Sequence, residues 1–262
     1  YQSILSESRF KPDTEFKLMN VLKEVKRVMF VSATPILDRY TKLLDDFKDI
    51  PTYSLNWIAK DPCRVIKPGL DIRLTKSITN DIRTIISKFK KGEFEKKYVK
   101  DENGDIICIE SKEAVFYVNS VKHIVSALNK NNLLPEECNI LCANTEDNIK
   151  KLKSLKKGFT IGSVPGKGEV HKMFTFCTRT VYLGADFYST NATSYIFSDS
   201  NLDCLAVDIS QDLPQILGRQ RLKENPWKNC ATFYYRSTAN YRKLKADDYE
   251  NELKTKYQRT VD

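Results

Sequence analysis

Apolar residues in this chain come in short bursts separated by longer amphipathic or polar stretches. Bursts at residues 28–31 (VMFV), 52–57, 114–118 (AVFYV), 139–143, 173–177, 195–198 and 230–235 are of strand length. Four to eight apolar residues bounded by polar ones suit a strand buried on both faces. Helical spacing marks other segments: 14–25, 36–47, 77–89, a helix from Asn119 and Ser120 through 129, the Lys-rich 145–157 and the charged 238–257. In 77–89 the residues Ile78, Ile82, Ile85, Ile86 and Phe89 recur on one helical face, as core packing requires. Residues 95–110 read as a hairpin, KKYVK and DIICIE about a turn at Asn103-Gly104. Strands alternating with helices predict an α/β fold, a mostly parallel sheet with helices on both faces. Pro62, Pro68 and Gly69 punctuate a boundary, placing one unit at 1–68 and another at 69–262.

Composition narrows the class. With 41% hydrophobic and 29% charged residues, the chain is neither disordered nor fibrous. Its net charge of +9 favours a polyanionic partner. No apolar run approaches the ~20 residues that cross a bilayer, so no membrane partner is expected. Residues 1–10 are mixed and polar, unlike a signal peptide. Of seven cysteines only Cys138 and Cys142 are close, and His123 and His171 are the two histidines. Zinc takes four ligands in tighter clusters, so no metal site is expected, and the thiols read as reduced in a cytoplasmic protein.

The candidate chemistry centres on residues 215–221, QILGRQR. Arg219 and Arg221 are expected on a helix that starts after Pro214. Arginine is charged at any working pH and presents a planar fork of donors suited to phosphate oxygens. Supplied across a cleft, such a fork can act as an arginine finger; the plain alternative is a basic helix face. Ser32, Ala33 and Thr34 follow the first burst, where open α/β sheets place ligand contacts; they equally suit a helix cap. The run GSVPGKG (162–168) imitates a phosphate loop, but only three residues separate Gly162 from Gly166, and Gly168 follows Lys167 where Ser or Thr is needed. It reads as a flexible surface turn. Lys150, Lys151, Lys153, Lys156 and Lys157 could attract a phosphate backbone or form a solvated face. Tyr182 and Phe187 read as core residues rather than base-stacking platforms.

Four segments, taken in order, resemble superfamily 2 helicases of the DEAD/DEAH-like kind. Ser32-Ala33-Thr34 looks like motif III, and residues 115–120 (VFYVNS) resemble motif IV. Residues 177–187 resemble motif V at Thr178, Gly184 and Asp186, and Gln215, Gly218, Arg219 and Arg221 resemble motif VI. The Gly-Arg-x-Arg form departs from the commoner spacing, because Leu222 stands where the final arginine is usual. It is similar to herpesvirus-type origin-binding helicases and some phage helicases, and points to a phage or bacterial source. The spacing leaves open which arginine meets the γ-phosphate; Arg221 is the favoured finger, with Arg219 contacting the nucleotide or bracing the cleft.

The resemblance implies a RecA-like helicase C-terminal domain at 69–262, preceded at 1–68 by the tail of a first RecA-like domain. The chain then reads as a fragment running from motif III to motif VI. Its partners would be nucleic acid, DNA ahead of RNA, and the N-terminal RecA-like domain carrying the phosphate loop and the Asp-Glu pair. ATP and Mg²⁺ would bind the intact protein, a hydrolase, with neither held tightly by this fragment alone. Gln215, Arg219 and Arg221 would then be catalytic, and Gly184, Asp186 and Gly218 nucleotide-binding. Ser32, Ala33 and Thr34 would couple the sites, and Asn119, Ser120 and Thr178 would grip nucleic acid. The competing class is a module that keeps the fold and binds nucleic acid or a partner without a nucleotide cycle.

Overall fold

The computed structural model describes residues 12–31, 48–55, 68–182, 184–202, 204–209 and 211–237. The chain divides into two compact units, Tyr1–Leu55 with Asn240–Asp262, and Asn56–Ala239.

In the first unit, α1 (Pro12–Glu24) forms as its spacing predicts. The strand expected at 28–31 does not. Those residues have no regular structure, and Met29 is 85% exposed. A buried strand needs neighbours for its N–H and C=O groups, and among the described residues none pairs with this run. Residues 52–55 are likewise irregular and exposed rather than strand. The helices expected at 36–47 and 238–257, and Ser32, Ala33 and Thr34, lie outside the described residues.

The second unit contains β1 (Gly69–Leu74), α2 (Ile78–Lys90), β2 (Lys96–Lys100), β3 (Ile106–Glu110), β4 (Glu113–Tyr117), α3 (Val121–Lys130) and β5 (Cys138–Leu141). It continues through α4 (Glu146–Lys153), β6 (Phe174–Cys177), β7 (Ala192–Asp199), α5 (Asp212–Leu217) and β8 (Cys230–Arg236). Six strands form one parallel sheet in the order β1-β8-β7-β4-β6-β5. This is the α/β architecture that the alternation predicts, consistent with a RecA-like fold.

Side-chain alternation along the strands builds two cores. Phe116, Phe174, Phe176, Tyr195 and Phe197 face α2, α3 and α4. Val115, Tyr117, Cys177, Ile196 and Phe233 face the other way, against Leu213 and Ile216 of α5. The first core holds an aromatic ladder: Phe116 stacks on Phe176 at 4.9 Å and on Tyr195 at 5.6 Å, and Phe197 stacks on Tyr234 at 5.1 Å. Ser77, Ser120 and Thr145 cap α2, α3 and α4 through their hydroxyl oxygens. Helix α4 stops at Lys153, short of the expected 157, and Lys156 and Gly158 then take positive φ values of 53° and 78°.

The β2–β3 hairpin forms with Gly104 at φ 90°, and Asp101 Oδ1 accepts from the Asn103 and Asp105 N–H groups. On its inner side Lys97 Nζ donates to the Pro226 carbonyl (2.8 Å) and lies over the Trp227 ring.

Because all six strands are parallel, their carboxyl ends share one edge. From β4 the chain leaves toward β5, and from the adjacent β7 it leaves toward β8. Such a divergence is where open α/β sheets form a ligand crevice.

Candidate functional site

Asn119 sits at that divergence. Its Nδ2 donates to the Cys204 carbonyl (2.6 Å), and its Oδ1 accepts from the Arg179 backbone N–H (2.8 Å). One side chain therefore ties together the loops after β4, β6 and β7. Ser120 Oγ accepts the His123 N–H (3.3 Å) at the head of α3 and lies 3.0 Å from His123 Nδ1. Burial holds the His123 imidazole below its usual pKa. Thr178 is buried, with Oγ1 3.4 Å from the Leu141 carbonyl and 3.3 Å from Thr180 Oγ1. The three residues expected to grip nucleic acid thus lie together at the divergence, and their side chains are engaged in internal hydrogen bonds.

The arginines do not ride on a helix. Helix α5 starts before Pro214, at Asp212, because proline is tolerated in a first turn where its missing N–H costs nothing. It ends at Leu217, and the chain runs on as a bridge to the loop after β6. Phe187 N–H donates to the Arg219 carbonyl and Arg221 N–H to the Phe187 carbonyl, both at 2.9 Å. In an extended segment alternate side chains share a side. Arg219 and Arg221 accordingly meet the same atom, Asp186 Oδ1, at 3.6 and 2.7 Å. Gln220 points the opposite way into the core, where its amide makes no hydrogen bond among the described residues.

The pair divides its work. The Arg219 side chain is 9% exposed, with Nε on the Gln215 carbonyl (2.8 Å), Nη2 on Gln215 Oε1 (3.1 Å) and Nη1 on the Ala185 carbonyl (3.4 Å). Burial, then the neighbouring Arg221, lowers its pKa, and Asp186 opposes the shift; a guanidinium remains charged regardless. Arg221 is 45% exposed and is held through Nε alone to Asp186. Two positive charges against one carboxylate leave the cluster net positive.

Gly184 is exposed, and a Cβ built on it would meet nothing within 4 Å. Gly218 ends α5 at φ −80°, a conformation open to any residue.

Other residues singled out by the sequence are placed as follows. Tyr182 and Phe187 are core residues. Gly162 of the loop-like run packs so closely on Asn139 that a Cβ would lie 2.0 Å from its Oδ1, so this glycine serves packing; the turn itself falls at Gly166–Glu169. Lys150 and Lys151 pair with Glu146 and Asp147 one turn earlier. Among the described residues no three His, Cys, Asp or Glu gather as a metal site, and no helix is long and apolar enough to cross a membrane.

Arg179 and Asp212 escape sequence reasoning. Arg179 Nη2 lies 3.1 Å from Asp212 Oδ1, and the Asp212 carboxylate is buried. Burial raises its pKa, and the Arg179 charge opposes the rise. No short motif announces such a pair, since the partners stand 33 positions apart.

Against known proteins, no family model matches the chain, and a search of curated proteins finds no match either.

Proposed function

We propose that this chain is the C-terminal part of an ATP-dependent nucleic-acid helicase or translocase, supplying Arg221 across a cleft to a bound nucleotide. The observation that carries the reading is the meeting of separate segments at one place. Asn119 is bonded to the loop that opens with Thr178, and that loop, at Asp186 and Phe187, is bonded to Arg219 and Arg221. Three of the segments that resemble helicase motifs are thus one hydrogen-bonded cluster.

ATP with Mg²⁺ would supply the phosphoryl group whose transfer drives movement. The residues present fit the phosphate end: Arg221 offers a half-exposed guanidinium, oriented by Asp186, in a cluster of net positive charge. They do not fit the metal, for which the described residues offer no cluster of ligands. The phosphate loop and magnesium ligands would come from a further RecA-like domain outside these 262 residues. Gln215 and Asp186 orient the arginines, and Arg219 braces the cluster from beneath. A fork aimed at developing phosphoryl charge is worth about 10³-fold or more in rate. Gly184 leaves open space above the loop, where a phosphate or a neighbouring domain could approach closely.

The alternative is a binding module without a nucleotide cycle; the internal bonds of Asn119 and Thr178 weigh against a direct grip on nucleic acid in either reading. The two readings part on a simple assay. The purified 262-residue chain should show no magnesium-dependent ATP hydrolysis, and joining it to a domain that carries a phosphate loop should restore turnover stimulated by nucleic acid. Hydrolysis by the chain alone would contradict the division of labour; nucleic-acid binding that nucleotide never alters in the joined protein would favour the module.

A further inference from the structure

Two segments carry the proposed chemistry, and besides the Asp186 contacts a separate ion pair joins them where each begins. The loop after β6 opens with Thr178 and Arg179, whose backbone is fixed to Asn119. Helix α5, which leads to Gln215, Arg219 and Arg221, opens with Asp212. Arg179 Nη2 meets Asp212 Oδ1 at 3.1 Å, and Asp212 Oδ2 accepts the Asp208 N–H at 3.1 Å. The carboxylate is therefore held at both oxygens, 3% exposed in all. Replacing a buried ion pair by apolar residues of similar volume is often neutral or stabilising, so stability is a weak reason for these charges. Arg179 Nε is buried without a hydrogen-bond partner among the described residues, so the side chain is fastened through one end.

Resting on the function proposed above, we propose that Arg179 and Asp212 are positioning residues that couple the nucleic-acid-facing loop to the finger arginine. The contacts run without a gap. Asn119 holds the Arg179 backbone, the Arg179 side chain holds Asp212, and Asp212 is the first residue of the six-residue helix α5. That helix carries Gln215, which grips Arg219, and Arg219 shares Asp186 with Arg221. A strand that shifts the Thr178–Arg179 loop pulls on α5 through the ion pair and so resets Arg221.

The test compares ATP turnover with and without oligo(dT) in the intact protein, for Asp212→Asn, Arg179→Gln, their double variant and Arg179→Lys. Coupling between sites is commonly worth about 5–150-fold. We expect stimulation by oligo(dT) to fall roughly tenfold in each single variant and no further in the double, because both remove the same contact. Basal turnover and oligo(dT) affinity without nucleotide should stay within about twofold, and Arg179→Lys should keep most of the stimulation. Asn retains the bond from Asp208, and Lys retains the charge, so one variant reports if the other loses its fold. Stimulation that survives in Asp212→Asn or Arg179→Gln overturns the coupling, as does a parallel fall in basal turnover, which would mark a purely structural pair. An intact protein with no stimulated hydrolysis at all overturns the helicase reading itself, an outcome visible before any variant is made.

Discussion

Arg221 and Asp186 stand 35 residues apart in sequence and 2.7 Å apart in space. Their contact closes the loop after β6 onto the segment after α5, and the Phe187 bridge fixes it in register from the backbone. The same Asp186 oxygen lies 3.6 Å from Arg219 Nη1, so a single carboxylate faces both forks. Arg219 is spent on internal carbonyls, and Arg221 is the one presented outward.

The aromatic ladder should dominate stability. Phe116 is fully buried and stacks against rings from β6 and β7. Phe116→Ala should cost about 3–5 kcal/mol, a large part of the ~5–15 kcal/mol of a typical domain. Urea unfolding of both proteins reads the difference, and a loss near zero would mean the ladder is not packed as described.

Thiol reactivity should sort by burial. The described cysteines are free; Cys108 and Cys204 are exposed, whereas Cys138, Cys142 and Cys177 are buried. Burial pushes the Cys138 thiol up to about 12 and raises Cys142 and Cys177 as well. Since the thiolate is the reactive form, iodoacetamide at mildly alkaline pH should label Cys108 and Cys204 well before the buried three. Peptide mass mapping gives the order, and early labelling of Cys177 would contradict the core.

Asp212 should leave a mark on stability against pH. Burial raises its pKa in the folded state, with Arg179 opposing. A carboxyl with a raised folded pKa contributes stability that is complete below its unfolded value near 3.9 and is lost as pH rises through the folded value. Relative to Asp212→Asn, the parent protein should therefore lose ground as pH climbs through the range just above ordinary carboxylates. Paired thermal melts across that range measure it, and a constant difference would show that the carboxyl is not desolvated.

Much of this fold is legible because β4, β6 and the middle of β7 (Tyr195–Phe197) are largely apolar, and such runs stand out in any chain. Strand β1 (GLDIRL) was missed because it lies at the sheet's rim, where Asp71 and Arg73 remain in water and the apolar signal breaks up. Residues 28–31 have the pattern of an inner strand but no strand neighbour among the described residues, a circumstance no local window reveals. Of the candidates the motifs single out, Gln215, Arg219, Arg221 and Asp186 meet, whereas Gly218 ends α5. Placing the arginines on a helix failed because backbone pairing with Phe187, 32 and 34 positions from its bonding partners Arg219 and Arg221, decides their conformation. The Arg179–Asp212 pair was invisible for the same reason: its meaning lies in proximity rather than in spacing.

The most direct test is ATP turnover by the intact protein carrying Arg221→Ala. The Arg221–Asp186 pair is half-exposed and worth about 0–1 kcal/mol, so the variant should melt close to the parent. Its nucleic-acid-stimulated hydrolysis should nonetheless fall by about 10³-fold or more. Unchanged turnover in a well-folded Arg221→Ala protein would remove Arg221 from the finger role and contradict the account at its centre.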